Sequence, residues 1–595
     1  MIGTYAAVLA VSGASMAIGQ AAIGLSGVRR WSWLAPAVGL ALVCAVCWGT
    51  VRLPGGGTTS AIVVLCLVIA SVAYLWGRVE GGEEALRVGL PVALAALVAA
   101  SLPFLVEGHF GILGTGFNPD MSQHLLATDR LAGDQGSQLL EQGYPLGPHA
   151  VVVALNKGLG IGLVQGFGGL TVAVAILASL TALAAFSTLR PAPRTAGALL
   201  VGFAYLVASY FAQGAFKETM QALFVLAFAL GLREAGRSWV DLPLRFLPAA
   251  LIAVGSVYVY SFAGLIWLVG TAVLWAAAEL VRGGRRLSLR PVLLAVLVFA
   301  VLVAPEISRM IDFQRFETFD PTGPGLGNLF GQVSPFEALG IWPSGDFRLA
   351  PGDGAVPAIG YYLGVAFALA LLIYGIWRCW RERETAILAG LGAAAVVYVA
   401  ARTGGTPYTA AKAIEVASPL VALTILVPLL AEVNGRLSNP MGDKSAHRAV
   451  RAPLGWVAFV AAAGACSVLA LANAPVGPVS YSPNLTELRP LIADDSTLVL
   501  APDHLLADEH GTPYVTWELR GGRVCIKAES EAGSAPPPGV RFIVTEGERS
   551  QPPYSRLRVH RVSPPYVLWE ATGPIASQSP CPLIAVRQAR QAPAR

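Results

Sequence analysis

Charged side chains are scarce in this chain. Its 595 residues include 41 Lys and Arg and 36 Asp and Glu, so 13% are charged, against about 25% in soluble proteins. Hydrophobic residues make up 55% of the sequence, and the mean hydropathy is +0.62. A soluble protein of this composition would expose more apolar surface than water tolerates. The composition excludes a purely cytosolic or nucleic-acid-binding protein and predicts that lipid surrounds most of the chain.

Cysteine is also scarce, and seven residues are too few for a disulfide scaffold. Cys44 and Cys47 form a C-x-x-C, but no second motif or nearby histidine accompanies it, which argues against a metal or redox site. Cys525 and Cys581 lie in a polar tail, where a disulfide and two free thiols are equally open alternatives. The remaining cysteines lie in or beside apolar runs and are interpreted as small hydrophobic residues: Cys66, Cys379 and Cys466.

Long apolar runs dominate the first 473 residues. A helix needs about 20 apolar residues to cross the hydrocarbon core of a bilayer. By this measure the sequence predicts a polytopic α-helical protein with about fourteen transmembrane helices. They lie near 3–25, 33–51, 60–76, 88–106, 167–187, 196–213, 219–232, 246–260, 263–281, 291–306, 357–377, 385–401, 417–432 and 453–473.

Basic residues recur in every second connection between these runs. Loops rich in Lys and Arg face the cytoplasm of a plasma membrane. The first run has no basic residue before it and Arg29 and Arg30 after it, which predicts an uncleaved helix with its N-terminus outside. Two long loops, 107–166 and 307–356, and the C-terminal tail are then extracytoplasmic.

The composition changes near residue 474. The last 122 residues carry 24 charges, compared with 53 in the first 473. Short runs rich in β-forming residues flank a helix-like stretch, Asp503–Leu519, so residues 474–595 are predicted to form a small extracytoplasmic α/β domain. Neither a G-x-G-x-x-G nor a G-x-S-x-G motif occurs there, and no catalytic role is assigned to it. The predicted strands are Thr497–Leu500, Arg523–Lys527, Arg541–Thr545, Arg556–Val562 and Tyr566–Trp569.

The first long loop contains an aspartate in a suggestive setting. Asn118-Pro119-Asp120 can end a turn and start a helix, which puts Asp120 and His124 one helical turn apart on one face. Asp120 is a candidate general base or ligand of a divalent cation, with His124 orienting it or contacting substrate. The alternative is that Asp120 only caps a surface helix.

Two further sets of polar residues interrupt apolar sequence. Tyr144 and His149 precede a stretch that is too short to span a bilayer and is interpreted as a re-entrant or interfacial helix, with His149 facing a cavity or the interface. Lys217 and Glu218 lie between two predicted spans, where adjacent charges are costly unless they are used. They are candidates for a phosphate contact and an acceptor site, respectively. The alternative is a mutually compensated pair at a helix end.

The stretch 402–412 follows a predicted span on the outer side. It combines Arg402, Tyr408 and Lys412 with flexible glycines, a composition that suits the phosphate of a lipid-linked substrate. Lys412 is the stronger candidate of the two cations. Simple attraction to anionic lipid head groups explains the same residues equally well.

Together these features resemble the GT-C superfamily of integral-membrane glycosyltransferases. The resemblance is carried by Asn118-Pro119-Asp120 with His124, by Tyr144-Pro145-Leu146-Gly147-Pro148-His149 and by Phe216-Lys217-Glu218, and it covers most of 88–473. It implies transfer of a sugar from a polyprenyl-phosphate donor at the outer face, by an inverting displacement with Asp120 as the base. The richness in Ala, Gly, Val and Arg is similar to that of high-GC actinobacterial envelope proteins, which implies a wall glycan, glycolipid or protein as acceptor.

Two departures from the family pattern limit what can be carried over. More spans than usual precede the aspartate loop, and the loop lacks an Asp-Glu or Glu-Asp doublet. A divalent cation, Mg²⁺ or Mn²⁺, is therefore left open. The rival hypotheses are a transporter or flippase of a lipid-linked or small polar substrate, which would favour ionisable groups at mid-membrane and two similar halves, and a non-catalytic envelope assembly protein.

Overall fold

A computed structural model describes most of the chain and divides it into two compact units. The first comprises Met1–Phe117 and Gln142–Val476, and the second Asn118–Glu141 and Gly477–Arg595. Within them the described residues are 1–118, 120–133, 138–282, 289–315, 325–438, 451–480, 482–492, 495–502, 511–521, 523–531, 539–547, 552, 554 and 556–572.

The first unit is almost entirely helical. Its residues lack the charges that would oppose burial in lipid, and every backbone polar group inside a helix is satisfied within the helix. A short strand, β1 (Ile112–Leu113), pairs with β2 (Val476–Gly477), at which this unit ends. The helices, numbered along the whole chain, are α1 (Ile2–Leu25), α2 (Ala35–Val51), α3 (Gly56–Leu75), α4 (Gly82–Glu107), α7 (Gly147–Leu159), α8 (Leu163–Phe186), α9 (Pro191–Gly202), α10 (Tyr205–Ala212), α11 (Phe216–Arg237), α12 (Leu247–Val281), α13 (Leu289–Val303), α14 (Ile307–Arg315), α15 (Ala358–Arg381), α16 (Thr385–Gly404), α17 (Pro407–Ser438) and α18 (Arg451–Ala472).

Ten helices in the described part of the chain are long and apolar enough to cross a membrane, or eleven if the bent pair α9 and α10 is one span. The polytopic helical prediction is confirmed, while the count is lower than fourteen for identifiable reasons. The helix α2 has only 17 residues. The two spans predicted near 246–260 and 263–281 lie in one helical segment, α12, which is interrupted at Ser261 (φ 57°, ψ −155°).

The helices differ in what surrounds them. Most of α8 and α17 is buried inside the unit, whereas α3, α13 and α15 expose long apolar faces that suit lipid. Close approach depends on small residues, as between α1 and α2. A Cβ on Gly39 would lie 1.7 Å from the carbonyl oxygen of Ser15, and one on Gly19 would lie 1.9 Å from that of Ala35. Such backbone contact is typical of membrane helix packing.

The second unit contains a five-stranded mixed sheet in the order β4-β3-β5-β7-β6. Strand β3 (Ser496–Ala501) pairs in parallel with β4 (Arg523–Ala528) and β5 (Phe542–Glu546), and β7 (Tyr566–Ala571) is antiparallel to β5 and to β6 (Leu557–Ser563). All five predicted strands and the α/β class are confirmed. The helices of this unit are α5 (Met121–Ala132), α6 (Gln138–Glu141), α19 (Pro483–Thr486) and α20 (Gly511–Glu518).

The sheet is covered on one side by α20 and residues before β3. Leu485, Leu488 and Ile492 pack with Val515 and Leu519 against the strands. Cys525 on β4 is disulfide-bonded. Its predicted partner, Cys581, lies outside the described residues, as does the first part of the predicted helix-like stretch Asp503–Leu519.

Candidate active site

The sequence Gly214-Ala215-Phe216 makes a tight turn that sets Lys217 and Glu218 at the start of α11. Gly214 has φ 74°, a conformation that favours glycine. The amide of Ala215 then donates a hydrogen bond to the carbonyl oxygen of Tyr210 at 3.0 Å. The turn places Glu218 in the first turn of the helix, where a negative charge is favourable.

Glu218 forms an ion pair with a lysine from another helix. Its Oε1 lies 3.0 Å from Nζ of Lys412 near the start of α17, and Glu218 is only 5% exposed. Lys217 also acts electrostatically on the Glu218 carboxylate. One lysine thus pairs with the buried carboxylate, and a second, from a distant segment, lies within its electrostatic range. The two lysines are 195 positions apart in the sequence, which did not indicate that both act on Glu218.

Each lysine also stacks on a tyrosine that the sequence had singled out. Nζ of Lys217 lies 3.9 Å from the ring centre of Tyr144, and Nζ of Lys412 lies 4.1 Å from that of Tyr408. Such contacts stabilise a cation by about 0.5–2 kcal/mol, and more as water is excluded. The rings hold the flexible amines in defined places.

His149 belongs to the aromatic wall beside Lys217. Its ring lies 6.3 Å from Tyr144, 5.6 Å from Phe167 and 5.8 Å from Phe216, all in edge-on geometry. It lies in α7, which is not among the candidate spans. Burial lowers the pKa of His149 to about 3. The imidazole is therefore neutral at ordinary pH, so that it shapes the site without adding charge.

Glu415 is a residue of this region that the sequence reasoning missed. It is fully buried, and neither carboxylate oxygen has a hydrogen-bond partner among the described residues. It lies three residues after Lys412 on α17 and within electrostatic range of both Lys412 and Glu218. An ionisable residue within an apolar run is itself a signal of function, and this signal was available in the sequence.

The break in α12 adjoins the same region. Gln221 of α11 accepts a hydrogen bond from Ser256 Oγ at 2.8 Å and donates one to the carbonyl oxygen of Gly264 at 2.9 Å. It thereby joins the two halves of α12 across Ser261. Tyr260, next to the break, is within electrostatic range of Glu218, Lys412 and Glu415.

A second charged cluster holds the backbone of Tyr144. Nη2 of Arg309 donates to the carbonyl oxygen of Tyr144 at 2.7 Å, and its Nε lies 3.4 Å from Oε2 of Glu306. Glu306 also accepts hydrogen bonds from Trp48 Nε1 at 2.7 Å and Arg52 Nη2 at 2.9 Å. This cluster fixes the chain that supplies the ring under Lys217.

Both long loops reach the site. The amide of Tyr408 donates to the carbonyl oxygen of Gly325 at 3.1 Å. Nδ2 of Asn328 donates to Oε1 of Gln213 at 2.5 Å and to the carbonyl oxygen of Phe117 at 2.9 Å. Residues 325–328 therefore lie against Tyr408. Phe117 of the first long loop is joined through Asn328 to Gln213, which precedes the turn that begins α11.

Six sequence-predicted residues are thus joined by contacts within the first unit: Tyr144, His149, Lys217, Glu218, Tyr408 and Lys412. The contacts above do not include Arg402, which is exposed near the end of α16. Asp120 and His124 belong to the second unit. Asp120 immediately precedes α5 without forming the side-chain capping hydrogen bond, and His124 is buried one turn later.

The described residues include no group of three or more His, Cys, Asp and Glu side chains arranged to hold a metal ion. The chemistry available to the first unit is electrostatic, because it offers two lysine cations, two carboxylates and an aromatic wall.

Comparison with known proteins supports the fold. No protein-family model and no curated protein matches the sequence. The cryo-EM structure of the arabinofuranosyltransferase AftD from Mycobacteria is similar, with a TM-score of 0.51 and 15% identity over 82% of this chain and 40% of AftD. A structure of a mutant of AftD gives a TM-score of 0.45 and 14% identity over 82% of this chain and 41% of the mutant chain.

The chain therefore spans 40% of the length of AftD. At this identity the similarity concerns the fold alone. The predicted resemblance is confirmed at the level of the fold: this chain is a multi-pass helical membrane protein whose fold is similar to that of part of AftD.

Proposed function

We propose that this protein is an inverting glycosyltransferase that moves a sugar from a polyprenyl-phosphate donor to an envelope acceptor at the outer face of the plasma membrane. The observation that carries the proposal is the convergence of Lys217 and Lys412 on the buried Glu218 carboxylate, inside a helical unit with a GT-C fold. Two cations held in a protected site suit the phosphate of a lipid-linked sugar.

The lysines would stabilise the departing phosphate. In the resting protein Glu218 holds Lys412 in place, so little reorganisation is needed when a phosphate arrives between the amines. A cation preorganised away from bulk water stabilises developing charge more strongly than one in solution. The bond between the anomeric carbon and the phosphate oxygen breaks, and polyprenyl phosphate leaves with the electron pair.

Asp120 is the proposed base. It would accept the proton of the acceptor hydroxyl while the acceptor oxygen forms its bond to the anomeric carbon from the opposite face, which inverts the configuration. Support comes from the sequence, in which Asn118-Pro119-Asp120 with His124 resembles the aspartate loop of GT-C enzymes. His124, one turn later, is proposed to orient Asp120 or contact the acceptor.

The donor must be tethered to lipid if the site faces outward. Activated nucleotide sugars are confined to the cytoplasm, so an extracytoplasmic enzyme needs a sugar that has crossed the membrane on a carrier. The proposed orientation, with N-terminus and C-terminal domain outside, rests on the basic residues of alternate loops. The activity in the name of AftD makes an arabinofuranosyl lipid phosphate the first donor to test.

The decisive experiment measures sugar transfer by the purified protein in proteoliposomes. Donor lipid with a radiolabelled sugar and a wall-glycan acceptor are supplied, and wild type is compared with Asp120→Asn. We expect the substitution to reduce kcat by about 10²- to 10⁴-fold with unchanged donor binding. Asp241→Asn, at an exposed aspartate between α11 and α12, is the control. Full activity of Asp120→Asn would remove Asp120 from the mechanism.

One observation favours a transporter or flippase as the second candidate. Transporters build substrate sites from interrupted helices, and α12 is interrupted at Ser261 while α9 and α10 are bent by 55°. In the same proteoliposomes, a flippase would move intact donor lipid between leaflets without releasing its sugar. Movement without transfer would replace the glycosyltransferase proposal with this one.

A further inference from the structure

The helix that follows Asp120 is held by residues from the far end of the chain. Helix α5 packs against α20, although about 380 residues separate them in sequence. The contacts assign 118–141 to the same compact unit as the C-terminal α/β domain, and the rest of the first long loop to the membrane unit. The sequence analysis treated 107–166 as a single loop.

Helix α20 is a firm support for this contact. Val515 and Leu519 on one face are buried in the core against the sheet, and Glu518 and Trp517 are almost fully buried as well. A helix fixed by a packed core and a five-stranded sheet can hold a second helix in a defined orientation. The loop helix α5, by contrast, has only 12 residues, which is marginal for a helix without tertiary contacts.

Two arginines held on α20 lie within electrostatic range of α5. Arg489 Nε donates to the carbonyl oxygen of Glu518 at 2.7 Å. Arg520 stacks on Trp517, with its Cζ 3.5 Å from the ring centre, and donates to the Trp517 carbonyl oxygen at 2.8 Å. Both side chains are therefore fixed at the C-terminal end of α20, where cations are favourable. The carboxylate of Asp129 on α5 interacts electrostatically with both of them.

Asp129 lies nine residues after Asp120, at the opposite end of the same short helix. A constraint on one end of a rigid helix limits the movement of the other, and catalytic groups must be held to within about 0.5 Å of their productive geometry. The structure thus links the C-terminal domain to the placement of the Asp120 carboxylate through α5.

From this geometry we infer that the C-terminal α/β domain is a positioning device for the catalytic loop, and that Arg489 and Arg520 are positioning residues acting through Asp129. The inference rests on the proposed function, because it assigns to Asp120 the role of base. It explains why a domain without a catalytic motif of its own accompanies the membrane unit.

The test compares Arg520→Gln with Arg558→Gln in the full-length protein. Arg558 lies in the same domain on the edge strand β6 and pairs with Glu570, so the control removes the same charge away from α5. We expect Arg520→Gln to lower kcat by about 10- to 100-fold with KM for the donor unchanged, and Arg558→Gln to leave both unaltered. Arg520→Lys, which keeps the charge, should restore part of the loss.

Hydrogen exchange of residues 121–132 supplies a readout that does not depend on activity. Arg520→Gln and Asp129→Asn should both accelerate exchange there, and Arg558→Gln should not. The double variant with Arg520→Gln and Asp120→Asn should transfer sugar as fast as Asp120→Asn alone. A misplaced base and a missing base remove the same contribution to the rate.

The outcomes separate the two proposals. Wild type without sugar transfer would overturn the proposed function, while the exchange data would still decide whether the domain holds α5. The positioning role is wrong under a different outcome, in which wild type transfers sugar and Asp120→Asn does not. In that outcome Arg520→Gln is as active as wild type, and its residues 121–132 exchange hydrogen as slowly as those of wild type. If Arg520→Gln fails to fold, Asp129→Asn and Arg520→Lys give the same comparison from either side of the contact.

Discussion

The two ends of α11 carry charged clusters of opposite character. At the C-terminal end, Glu384 accepts hydrogen bonds from Arg233 Nε at 2.7 Å and Nη2 at 2.9 Å and from Arg237 Nη1 at 2.7 Å. Arg237 also donates to the carbonyl oxygens of residues 382 and 383. At the N-terminal end, Lys412 pairs with Glu218, but both oxygens of the nearby Glu415 have no hydrogen-bond partner within the described residues.

This difference separates a structural cluster from a candidate site. Glu384 and its arginines satisfy one another with bidentate geometry, and such a pair mainly fixes the ends of helices. Burial without a partner costs a carboxyl group about 1–3 kcal/mol or more, so Glu415 is retained at a cost that folding alone does not explain. A buried carboxylate without a hydrogen-bond partner, within electrostatic range of Lys412, is a candidate contact for a ligand.

The largest expected effect is loss of activity when the charges at the N-terminal end are removed together. The double variant Lys412→Met with Glu218→Gln removes both charges without leaving either buried alone. We expect sugar transfer to fall by about 10²- to 10³-fold, while the melting temperature of the purified protein stays close to that of wild type. Retained transfer would assign the pair a structural role like that of Glu384.

The charged cluster of Glu384 at the C-terminal end of α11 should respond in the opposite way. Glu384→Ala leaves two arginines without their partner and should destabilise the protein by about 3–5 kcal/mol, with unchanged kcat in the fraction that remains folded. Thermal unfolding measured beside sugar transfer makes this comparison. A drop in kcat without destabilisation would contradict it.

The pH dependence of this cluster has a definite sign. Burial alone would raise the pKa of Glu384, but the hydrogen bonds and charge of Arg233, aided by Arg237, lower it below its ordinary value of 4.5. A carboxyl group whose pKa is lower in the folded state than in the unfolded state stabilises the protein at pH values above its unfolded-state pKa. This stabilisation is lost as the pH falls through the folded-state pKa. Wild type should therefore lose part of its stability below about pH 4.5, and Glu384→Ala should lose less over the same range.

A smaller effect is expected for Glu415→Gln. The change keeps the shape of the side chain and removes an ionisable group that lacks a partner, so the melting temperature should stay the same or rise. If Glu415 contacts substrate, transfer should fall by about tenfold, equivalent to about 1.4 kcal/mol. Equal activity of wild type and Glu415→Gln would refute a contact with substrate.

The smallest effect concerns Ser261 at the break in α12. Its positive φ costs a non-glycine residue about 1–3 kcal/mol. Ser261→Gly should relieve part of this strain and raise the melting temperature slightly, whereas Ser261→Ala should not. A lower melting temperature for Ser261→Gly than for Ser261→Ala would show that the break is not strained.

Several site residues could be found from the sequence because they violate a strong local rule. Lys217, Glu218 and Lys412 stand next to apolar spans, where charge is costly, and the structure joins them. Glu415, a buried ionisable residue of α17, violates the same rule but was not predicted. Arg402 satisfied the pattern equally well, yet the structure leaves it exposed near the end of α16. Local composition identifies an unusual residue but does not say which neighbours it meets.

The helical membrane architecture and the strands of the C-terminal domain were predictable from the order of residues, because lipid and a half-buried sheet each impose a recognisable pattern on every element. The pairing of Lys412 with Glu218 beside Lys217, and the packing of α5 against α20, became visible in the folded chain alone. These contacts join segments hundreds of residues apart. Their energies depend on distance, burial and packing, which no local pattern encodes.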